Sequence, residues 1–281
     1  MRPSRLGVIG LGALGGSIAW QAVRNGVPHV IAYAKDPRDG ASAARSGAVT
    51  EVVTRPRAVF ERADLTVLAA PPAVNLDVLR RYADLIRRGS GLVTDVTSVK
   101  QPITDLATAL ELGDHFAGSH PFRGTHRSGF DGARADLLVG GVVFVIPIDG
   151  HDQSCREVAD FWVSVCAAAP VWISAKQHDQ LMSWTSHLPQ VVSSALAVAV
   201  ARATPQTTSF GSGLRDVSRL AASGPEMWRD ILLMNRDAVL PALDGLETTL
   251  KDLRNALVAR DPDALQRWLE EGARFRRGID P

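Results

Sequence analysis

The fold of this chain is decided by the stretch Leu6-Gly7-Val8-Ile9-Gly10-Leu11-Gly12-Ala13-Leu14-Gly15-Gly16-Ser17. The short apolar run Leu6–Ile9 is typical of a buried β-strand, and a glycine-rich turn then opens a helical pattern. In such a turn the glycines permit a tight bend, let the backbone approach a pyrophosphate and let the helix pack closely on the strand. The phosphates would lie at the helix N-terminus. We therefore expect dinucleotide binding by Gly10, Gly12, Ala13, Leu14 and Gly15.

Short apolar runs and helical patterns alternate from this turn to about Ile173. Such alternation is typical of a Rossmann-type α/β fold, a doubly wound parallel sheet covered by helices. The predicted strands are Leu6–Ile9, His29–Tyr33, Leu65–Ala69, Gly91–Asp95, His115–Gly118, Val142–Ile146 and Val171–Ile173.

Beyond about Ser174 the pattern becomes entirely helical. A chain of 281 residues also exceeds what a single core usually fills. We therefore predict a dinucleotide-binding domain over residues 1–173 and an all-α domain over residues 174–281. The helices of the second domain have wider apolar faces than a small unit can bury, which predicts a homodimer formed through this domain. The predicted helices are Ser193–Arg202, Glu226–Ala238, Leu240–Leu257 and Asp261–Phe275.

The composition narrows the class of partner. The formal net charge is +1 with both signs mixed along the chain, so we expect no nucleic acid or anionic membrane surface as a partner. No apolar run has the roughly 18 residues of a membrane span, and the first residues lack a signal-peptide pattern. Cys155 and Cys166 would lie about 16 Å apart on one helix, too far for a disulfide. We expect a cytoplasmic protein with a small-molecule substrate.

The end of the second predicted strand bears on the choice of cofactor. Ala34 stands where an acidic residue would bind the ribose 2′-hydroxyl of NAD. Lys35 and Arg38 follow it, and such cations suit the 2′-phosphate of NADP. NADP is therefore slightly favoured over NAD. In the alternative, Lys35 and Arg38 are solvated and Asp36 binds the ribose of NAD.

The ends of three later strands belong to the same edge of the predicted sheet, where ligands of open α/β folds bind. Ala70 and Pro71 follow the third strand and are expected to contact the cofactor. Ser98 follows the fourth strand and could face the nicotinamide or cap the next helix. His120 follows the fifth strand. Because an imidazole titrates near neutrality, His120 is the candidate base for a hydride-transfer reaction.

Several motifs of the chain, taken together and in order, resemble those of the prephenate/arogenate (cyclohexadienyl) dehydrogenase family. The resemblance runs from about residue 6 to residue 236. The motifs are Gly10-Leu11-Gly12-Ala13-Leu14-Gly15-Gly16-Ser17, Asp95-Val96-Thr97-Ser98-Val99-Lys100, Gly118-Ser119-His120-Pro121, Ser128-Gly129, His178-Asp179, Ser186-His187-Leu188-Pro189, Leu214-Arg215-Asp216-Val217-Ser218-Arg219-Leu220-Ala221 and Met227-Trp228-Arg229-Asp230-Ile231.

The resemblance implies a reaction and roles for site residues. His120 would take the proton of the ring C4-hydroxyl while C4 gives a hydride to the nicotinamide, and loss of carbon dioxide would then yield an aromatic ring. Ser98 would hydrogen-bond His120 or the substrate hydroxyl. Arg219 would bind a substrate carboxylate, for which a guanidinium offers two parallel donors. The alternative for Arg219 is an ion pair with Asp216 across one helical turn. No metal is expected.

The chain departs from the family pattern around the expected substrate. Arg123 and His126 stand where the family has a small residue and a glutamate, and Gln190 replaces a histidine. Gln190 is similar to the residue of arogenate-using members. His187 keeps the family residue and could contact the substrate or pack at the domain junction. We expect Arg123, His126, His187 and Gln190, together with Arg219, to bind the substrate.

Three other functions are compatible with parts of this pattern. Oxidative decarboxylation of 4-amino-4-deoxyprephenate is favoured only by Arg123 and His126. A non-catalytic NADP-binding regulator would not need His120, Ser98 and Arg219. A β-hydroxyacid dehydrogenase or imine reductase would place a catalytic lysine in the helical domain, whereas Lys100 precedes that domain and is interpreted as a structural cation. The best interpretation is an oxidoreductase acting on arogenate or prephenate in tyrosine biosynthesis.

Overall fold

A computed structural model of the chain describes residues 2–123, 129–204 and 209–279. In these residues the central sheet has eight strands in the order β3-β2-β1-β4-β5-β6-β7-β8. This order confirms the Rossmann-type fold, because the chain crosses over after β3 and returns beside β1. The strands are β1 Arg5–Ile9, β2 His29–Tyr33, β3 Glu51–Val52, β4 Leu65–Leu68, β5 Leu92–Asp95, β6 Phe116–Pro121, β7 Val142–Ile146 and β8 Ala169–Trp172.

The helices fall into two groups, those that cover the sheet and those that follow it. The sheet-covering helices are α1 Ala13–Arg24, α2 Pro37–Arg45, α3 Pro56–Phe60, α4 Pro72–Arg88, α5 Gln101–Ala109 and α6 Asp152–Ser164. The later helices are α7 Ala175–Met182, α8 Leu188–Ala203, α9 Ser212–Val217, α10 Pro225–Met234, α11 Arg236–Ala259 and α12 Pro262–Ile279. The prediction of an all-helical second part is confirmed.

The sheet departs from the predicted parallel arrangement at one pair of strands. β6 and β7 are antiparallel, with His120 opposite Phe144. Between them the described residues contain a 3₁₀ turn at Phe130–Gly132 but no helix of the kind that carries a parallel crossover. The strand β6 also continues to Pro121, past the predicted end at Gly118. The two-residue strand β3 is too short to be detected from a sequence pattern.

The central strands of the sheet are buried on both faces, whereas the edge strands β3 and β8 are largely exposed. Along β1 the consecutive residues Val8 and Ile9 belong to two different apolar clusters, as expected when side chains alternate across a strand. Phe161 and Trp162 of α6 belong to the first cluster, and Leu79 of α4 belongs to the second. Burial on both faces fixes the register of the strands, and with it the positions of the residues at their carboxyl ends.

The helical part begins directly after β8 with a capping box in which Ser174 and Gln177 cap α7. The predicted helix Glu226–Ala238 is interrupted at Asn235, which ends α10 and precedes α11. α12 has no buried residue. In the part of the chain that the structure describes, no helix is both long and apolar enough to cross a membrane.

Candidate active site

The turn between β1 and α1 brings the backbone close to any ligand at this edge of the sheet. Gly10 has a φ of +102°, which favours glycine. A Cβ at Gly15 would lie 1.9 Å from the carbonyl oxygen of Gly10, so α1 can start this close to β1 only with glycine there. A Cβ at Gly12 would have no described neighbour within 4 Å beyond its own helix and chain neighbours. Ala13 and Leu14 start α1, whose first turn has no acidic residue, so its N-terminus suits an anion.

The loop after β4 lies against this turn. A Cβ at Gly10 would lie 2.8 Å from the backbone nitrogen of Ala70. The buried Asn75 fixes the loop, because its Nδ2 donates to the Ala70 oxygen over 3.0 Å and its Oδ1 accepts from the Ala70 nitrogen over 3.2 Å. Pro71 is exposed and precedes α4. The structure therefore places Ala70 and Pro71 beside the glycine-rich turn.

The residues after β2 are those expected to bind the ribose end of the cofactor. Asp36 caps α2 by accepting from the Arg38 nitrogen over 2.9 Å. Its carboxylate also pairs with the Arg38 guanidinium, at 2.7 Å between Nη2 and Oδ2. This contact lowers the pKa of Asp36 and raises that of Arg38. Ala34 is half-buried, and Lys35 is exposed and forms no ion pair with any described residue. Arg38 is therefore partly committed to Asp36, whereas Lys35 is free.

Asp95, at the end of β5, is the centre of a buried polar cluster. Its Oδ2 pairs with Lys100 Nζ, and its Oδ1 accepts from the backbone nitrogen of Ser119 over 3.2 Å. Lys100 Nζ also donates to the Ser119 carbonyl oxygen over 2.7 Å. Burial lowers the pKa of Lys100, and the Asp95 carboxylate opposes this shift. The Asp95–Lys100 ion pair thus holds both the backbone nitrogen and the carbonyl oxygen of Ser119, the residue immediately before His120.

His120 lies in the carboxyl half of β6, where that strand extends past β5 and pairs with β7. Its side chain is 9% exposed, and its ring centroid lies 6.2 Å from that of Phe122 and 6.4 Å from that of Phe144. Burial lowers the pKa of His120 well below its usual value, and the nearby His178 and Lys100 lower it further. His120 is therefore a neutral imidazole at neutral pH, the form that can accept a proton.

Ser98 is not the cap of the helix that follows β5. α5 begins at Gln101 with Lys100 at its N-cap, and their backbone nitrogens donate to the Asp179 carboxylate over 2.7 and 2.8 Å. The alternative that Ser98 caps this helix is therefore wrong, because a side chain from α7 does so. Ser98 is half-buried and makes no hydrogen bond to His120 in the described residues. Its contact with the substrate hydroxyl stays a prediction.

Two functional candidates were missed from the sequence, His178 and Asp179 of α7. Both are buried, and the Nε2 of His178 lies 2.9 Å from the Nδ1 of His120. On its other side, the Nδ1 of His178 lies 2.8 Å from Asp179 Oδ1. Burial lowers the pKa of His178, and Asp179 opposes that shift. The only sequence signal was the adjacent His-Asp pair among the motifs that resemble the dehydrogenase family.

His187, on a π-helical turn at Ser183–His187, joins the same network. Asn235 Nδ2 donates both to the Asp179 carbonyl oxygen over 2.9 Å and to His187 Nδ1 over 3.0 Å. Burial lowers the pKa of His187 to about 4, so the ring is neutral at neutral pH. Because its Nδ1 accepts from Asn235, its proton lies on Nε2. That buried Nε2 has no hydrogen-bond partner among the described residues. The Nε2–H of His187 is therefore a free donor within the described residues. The ring centroid of His187 lies 6.0 Å from that of Trp228.

Gln190 holds the turn that carries Arg219. The buried Nε2 of Gln190 donates to the Leu220 carbonyl oxygen over 2.9 Å, and Ser193 Oγ accepts from the Ala221 nitrogen over 3.1 Å. Because Nε2 must face a carbonyl, Oε1 points elsewhere, and it has no described partner. Arg219 is exposed on this 3₁₀ turn and forms no ion pair with Asp216, so the ion-pair alternative is wrong.

A cavity of about 680 Å³ opens beside Gln190, within the size range of small-ligand sites. Its walls include Ser194, Ala221, Trp228 and Arg229. Arg123 does not line this cavity. Its side chain lies against Gly141, where a Cβ would be 2.7 Å from the Arg123 Cγ. The structure thus packs Arg123 over the backbone before β7. His126 lies outside the described residues.

A neutral buried histidine near a dinucleotide turn suits hydride transfer, because oxidation of a hydroxyl-bearing carbon releases a proton together with the hydride. Within the described residues, no cluster of His, Cys, Asp or Glu could hold a metal ion. The fold and the site therefore define the class of NAD(P)-dependent dehydrogenases.

Comparisons with known proteins narrow this class. Residues 19–170 match the nucleotide-binding domain of prephenate dehydrogenase, and residues 174–271 match its dimerization domain. The cyclohexadienyl dehydrogenase of Zymomonas mobilis is 31% identical over 98% of this chain and 95% of its own length. The prephenate dehydrogenase of Bacillus subtilis is 28% identical over 96% of this chain and 74% of its own length.

Solved structures give matches to enzymes with the same names. Prephenate dehydrogenase from Aquifex aeolicus, in complex with hydroxyphenyl propionate and NAD+, has a TM-score of 0.90 and 29% identity, covering 98% of each chain. Synechocystis arogenate dehydrogenase has a TM-score of 0.80 and 28% identity, covering 98% of this chain and 99% of that one. The chain belongs to the prephenate dehydrogenase family. The resemblance found from the motifs is confirmed, and the chain is an oxidoreductase.

Proposed function

We propose that this chain catalyses the NAD(P)+-dependent oxidative decarboxylation of a cyclohexadienyl acid, arogenate or prephenate, in tyrosine biosynthesis. The observation that carries the proposal is the placement of His120. It is buried, its pKa is lowered by burial, and it lies at the sheet edge that also carries the glycine-rich turn. The names of the relatives from Zymomonas, Bacillus and Synechocystis support the same reaction.

His120 serves as the base in this proposal. It takes the proton of the C4-hydroxyl as the C4–H bond gives up its hydride. Bound NAD(P)+ supplies the acceptor for that hydride. His120 can return the proton to the same oxygen once the ring has lost its carboxylate as carbon dioxide and become aromatic. Ser98, half-buried after β5, would donate a hydrogen bond to the substrate hydroxyl.

Arg219 would bind a carboxylate of the substrate. Its guanidinium is exposed and uncommitted to Asp216, and the turn beneath it is fixed to α8 by Gln190 and Ser193. A fixed turn with a free guanidinium suits bidentate binding of a carboxylate. Arg215, from the same motif, is a weaker candidate for binding this carboxylate, and it is exposed on α9.

Within this reaction we propose arogenate as the preferred substrate. Gln190 Oε1 is buried without a described partner and can only accept. Arogenate carries an ammonium group, a donor, where prephenate carries a ketone oxygen, an acceptor. The free His187 Nε2–H can meanwhile donate to a substrate carboxylate. One buried hydrogen bond of this kind corresponds to about a tenfold preference.

The test is an assay of the purified protein with NAD+ or NADP+ and each of arogenate, prephenate and 4-amino-4-deoxyprephenate. Reduced cofactor and carbon dioxide should form in equal amounts, with the highest kcat/KM for arogenate. Replacing Gln190→His should move the preference towards prephenate by about tenfold. No turnover with any acid would overturn the proposed reaction, and a preference for 4-amino-4-deoxyprephenate would replace arogenate.

For the cofactor, we propose that NADP is preferred over NAD. Lys35 is an exposed cation without an ion-pair partner in the described part of the chain, so it is available to a 2′-phosphate. The pairing of Arg38 with Asp36 is exposed and worth little, so Arg38 can also be recruited. The ratio of kcat/KM for NADP+ to that for NAD+ should exceed one and fall in Lys35→Ala but not in the control Lys251→Ala. A ratio below one in the unmodified chain would contradict the preference.

We also propose that the chain forms a homodimer through its helical part. Supporting this, α12 buries none of its residues within the chain. The exposed large apolar side chains there include Val198, Val217, Met227, Leu233, Leu240, Leu250, Leu257, Val258, Leu269, Phe275 and Ile279. Light scattering should give twice the chain mass of 30.1 kDa, and a monomer at micromolar concentration would contradict it. A reducing compartment, the cytoplasm, suits the two free cysteines.

A further inference from the structure

The buried imidazole of His120 ends a chain of hydrogen bonds that begins in another part of the fold. Asp179 Oδ1 lies 2.8 Å from His178 Nδ1, and His178 Nε2 lies 2.9 Å from His120 Nδ1. His178 is fully buried and Asp179 is 4% exposed. Water therefore competes little for these contacts, and each nitrogen must find its partner inside the protein.

The partners determine which nitrogen of each ring carries the proton. A carboxylate only accepts, so the proton of neutral His178 lies on Nδ1, facing Asp179. His178 Nε2 is then an acceptor, and the proton of neutral His120 must lie on Nδ1 to meet it. The Nε2 of His120 is left with its lone pair, which is what a base needs.

Asp179 is itself held from two sides. Its carboxylate accepts from the Lys100 and Gln101 nitrogens over 2.7 and 2.8 Å at the start of α5. The positive end of that helix favours a negative charge at this place. The carbonyl oxygen of Asp179 accepts from Asn235 Nδ2 over 2.9 Å. The carboxylate therefore cannot turn away from His178 without leaving backbone donors of α5 unpaired.

We propose that His178 and Asp179 are positioning residues that fix His120 as the Nδ1–H tautomer and present its unprotonated Nε2 to the substrate. This inference rests on the proposed function only in taking His120 as the base. When His120 accepts a proton, the imidazolium stays hydrogen-bonded to His178, whose partner is a carboxylate. No proton needs to move along the chain, because a fixed negative charge nearby stabilises the imidazolium.

A pair of substitutions at position 178 separates this role from simple packing. In His178→Gln the amide oxygen can still accept from His120 Nδ1, whereas His178→Leu fills similar space without an acceptor. We expect kcat to fall roughly 100-fold or more in His178→Leu and by less than about tenfold in His178→Gln, with KM and cofactor Kd nearly unchanged in both. Equal losses in the two variants, or losses confined to KM, would overturn the proposal.

The tautomer can be measured without turnover. In protein labelled with ¹⁵N-histidine, the signals that disappear in His120→Asn belong to His120, and they should show Nδ1 protonated and Nε2 unprotonated near pH 7. An Nε2–H tautomer of His120 in the unmodified protein would overturn the proposal even if His178→Leu failed to fold. If the protein oxidised none of the candidate acids, the proposed function would fail while this measurement would still decide the tautomer.

Discussion

The glycine-rich turn and the histidine network serve the same site but are built in opposite ways. In the turn from Gly10 to Gly15, glycine is required at Gly15 by the Gly10 carbonyl oxygen five positions away and at Gly10 by its own φ of +102°, although the loop at Ala70 also lies against Gly10. In the network, His120 and His178 are 58 positions apart and Lys100 and Asp179 are 79 apart. Phosphate binding can therefore be encoded locally, whereas the state of the base depends on how the helices dock against the sheet.

The largest effect should come from breaking the buried ion pair of the network. Lys100→Met leaves the fully buried Asp95 carboxylate without its cation. We expect the free energy of unfolding to fall by about 3–5 kcal/mol, measured by urea denaturation. The double variant Asp95→Asn with Lys100→Met removes both charges and should recover most of that loss. A loss below about 1 kcal/mol in Lys100→Met would show that the buried network contributes no more to the free energy of unfolding than an ordinary surface position.

A smaller effect is expected in the turn, where two glycines provide a matched pair. A methyl group at Gly15 meets the Gly10 carbonyl oxygen, whereas one at Gly12 meets no described neighbour beyond its own helix and chain neighbours. Gly15→Ala should therefore lose about 1–3 kcal/mol of stability. Gly12→Ala should unfold like the unmodified chain but bind cofactor more weakly, because the methyl group occupies the space of the phosphates. Comparable stability losses in Gly15→Ala and Gly12→Ala would contradict the conclusion that close contacts within the turn require glycine at Gly15 but not at Gly12.

The smallest effect concerns pH. Burial lowers the folded-state pKa of His120, His178 and His187, the last to about 4. The unfolded chain therefore binds more protons below the usual histidine pKa of about 6.5, and stability is lost as pH falls through that value. Each histidine contributes up to about 1.4 kcal/mol per pH unit. His187→Asn keeps an acceptor for Asn235, and its free energy of unfolding should fall less steeply between pH 6 and pH 4 than that of the unmodified chain. An unchanged slope would contradict the lowered pKa of His187.

Much of the sheet could be predicted because its strands are marked by their own residues. The bounds His29–Tyr33 and Val142–Ile146 agree with the structure. The direction of β7 relative to β6 could not be predicted, since it depends on the connection between them. The break at Asn235 could not be predicted either, because the contact that Asn235 makes there is with Asp179, 56 positions away.

The residues of the site show the same contrast between features marked by nearby residues and features set by distant contacts. His120 could be proposed from its place after a strand at the ligand edge, and the family motifs supported it. Its partner His178 could not, because nothing in the sequence shows that α7 packs beside β6. Ser98 illustrates the converse: its position suits a helix cap, yet the donors of α5 are satisfied by Asp179.

The central claim is that His120 is the base of the reaction, and His120→Asn tests it most directly. The asparagine amide can still donate to His178, so the network survives while the proton acceptor is lost. With kcat measured on the best substrate and cofactor Kd measured by titration, we predict that kcat falls by about 10²–10⁴ while Kd changes less than about twofold. An unchanged kcat would contradict the account.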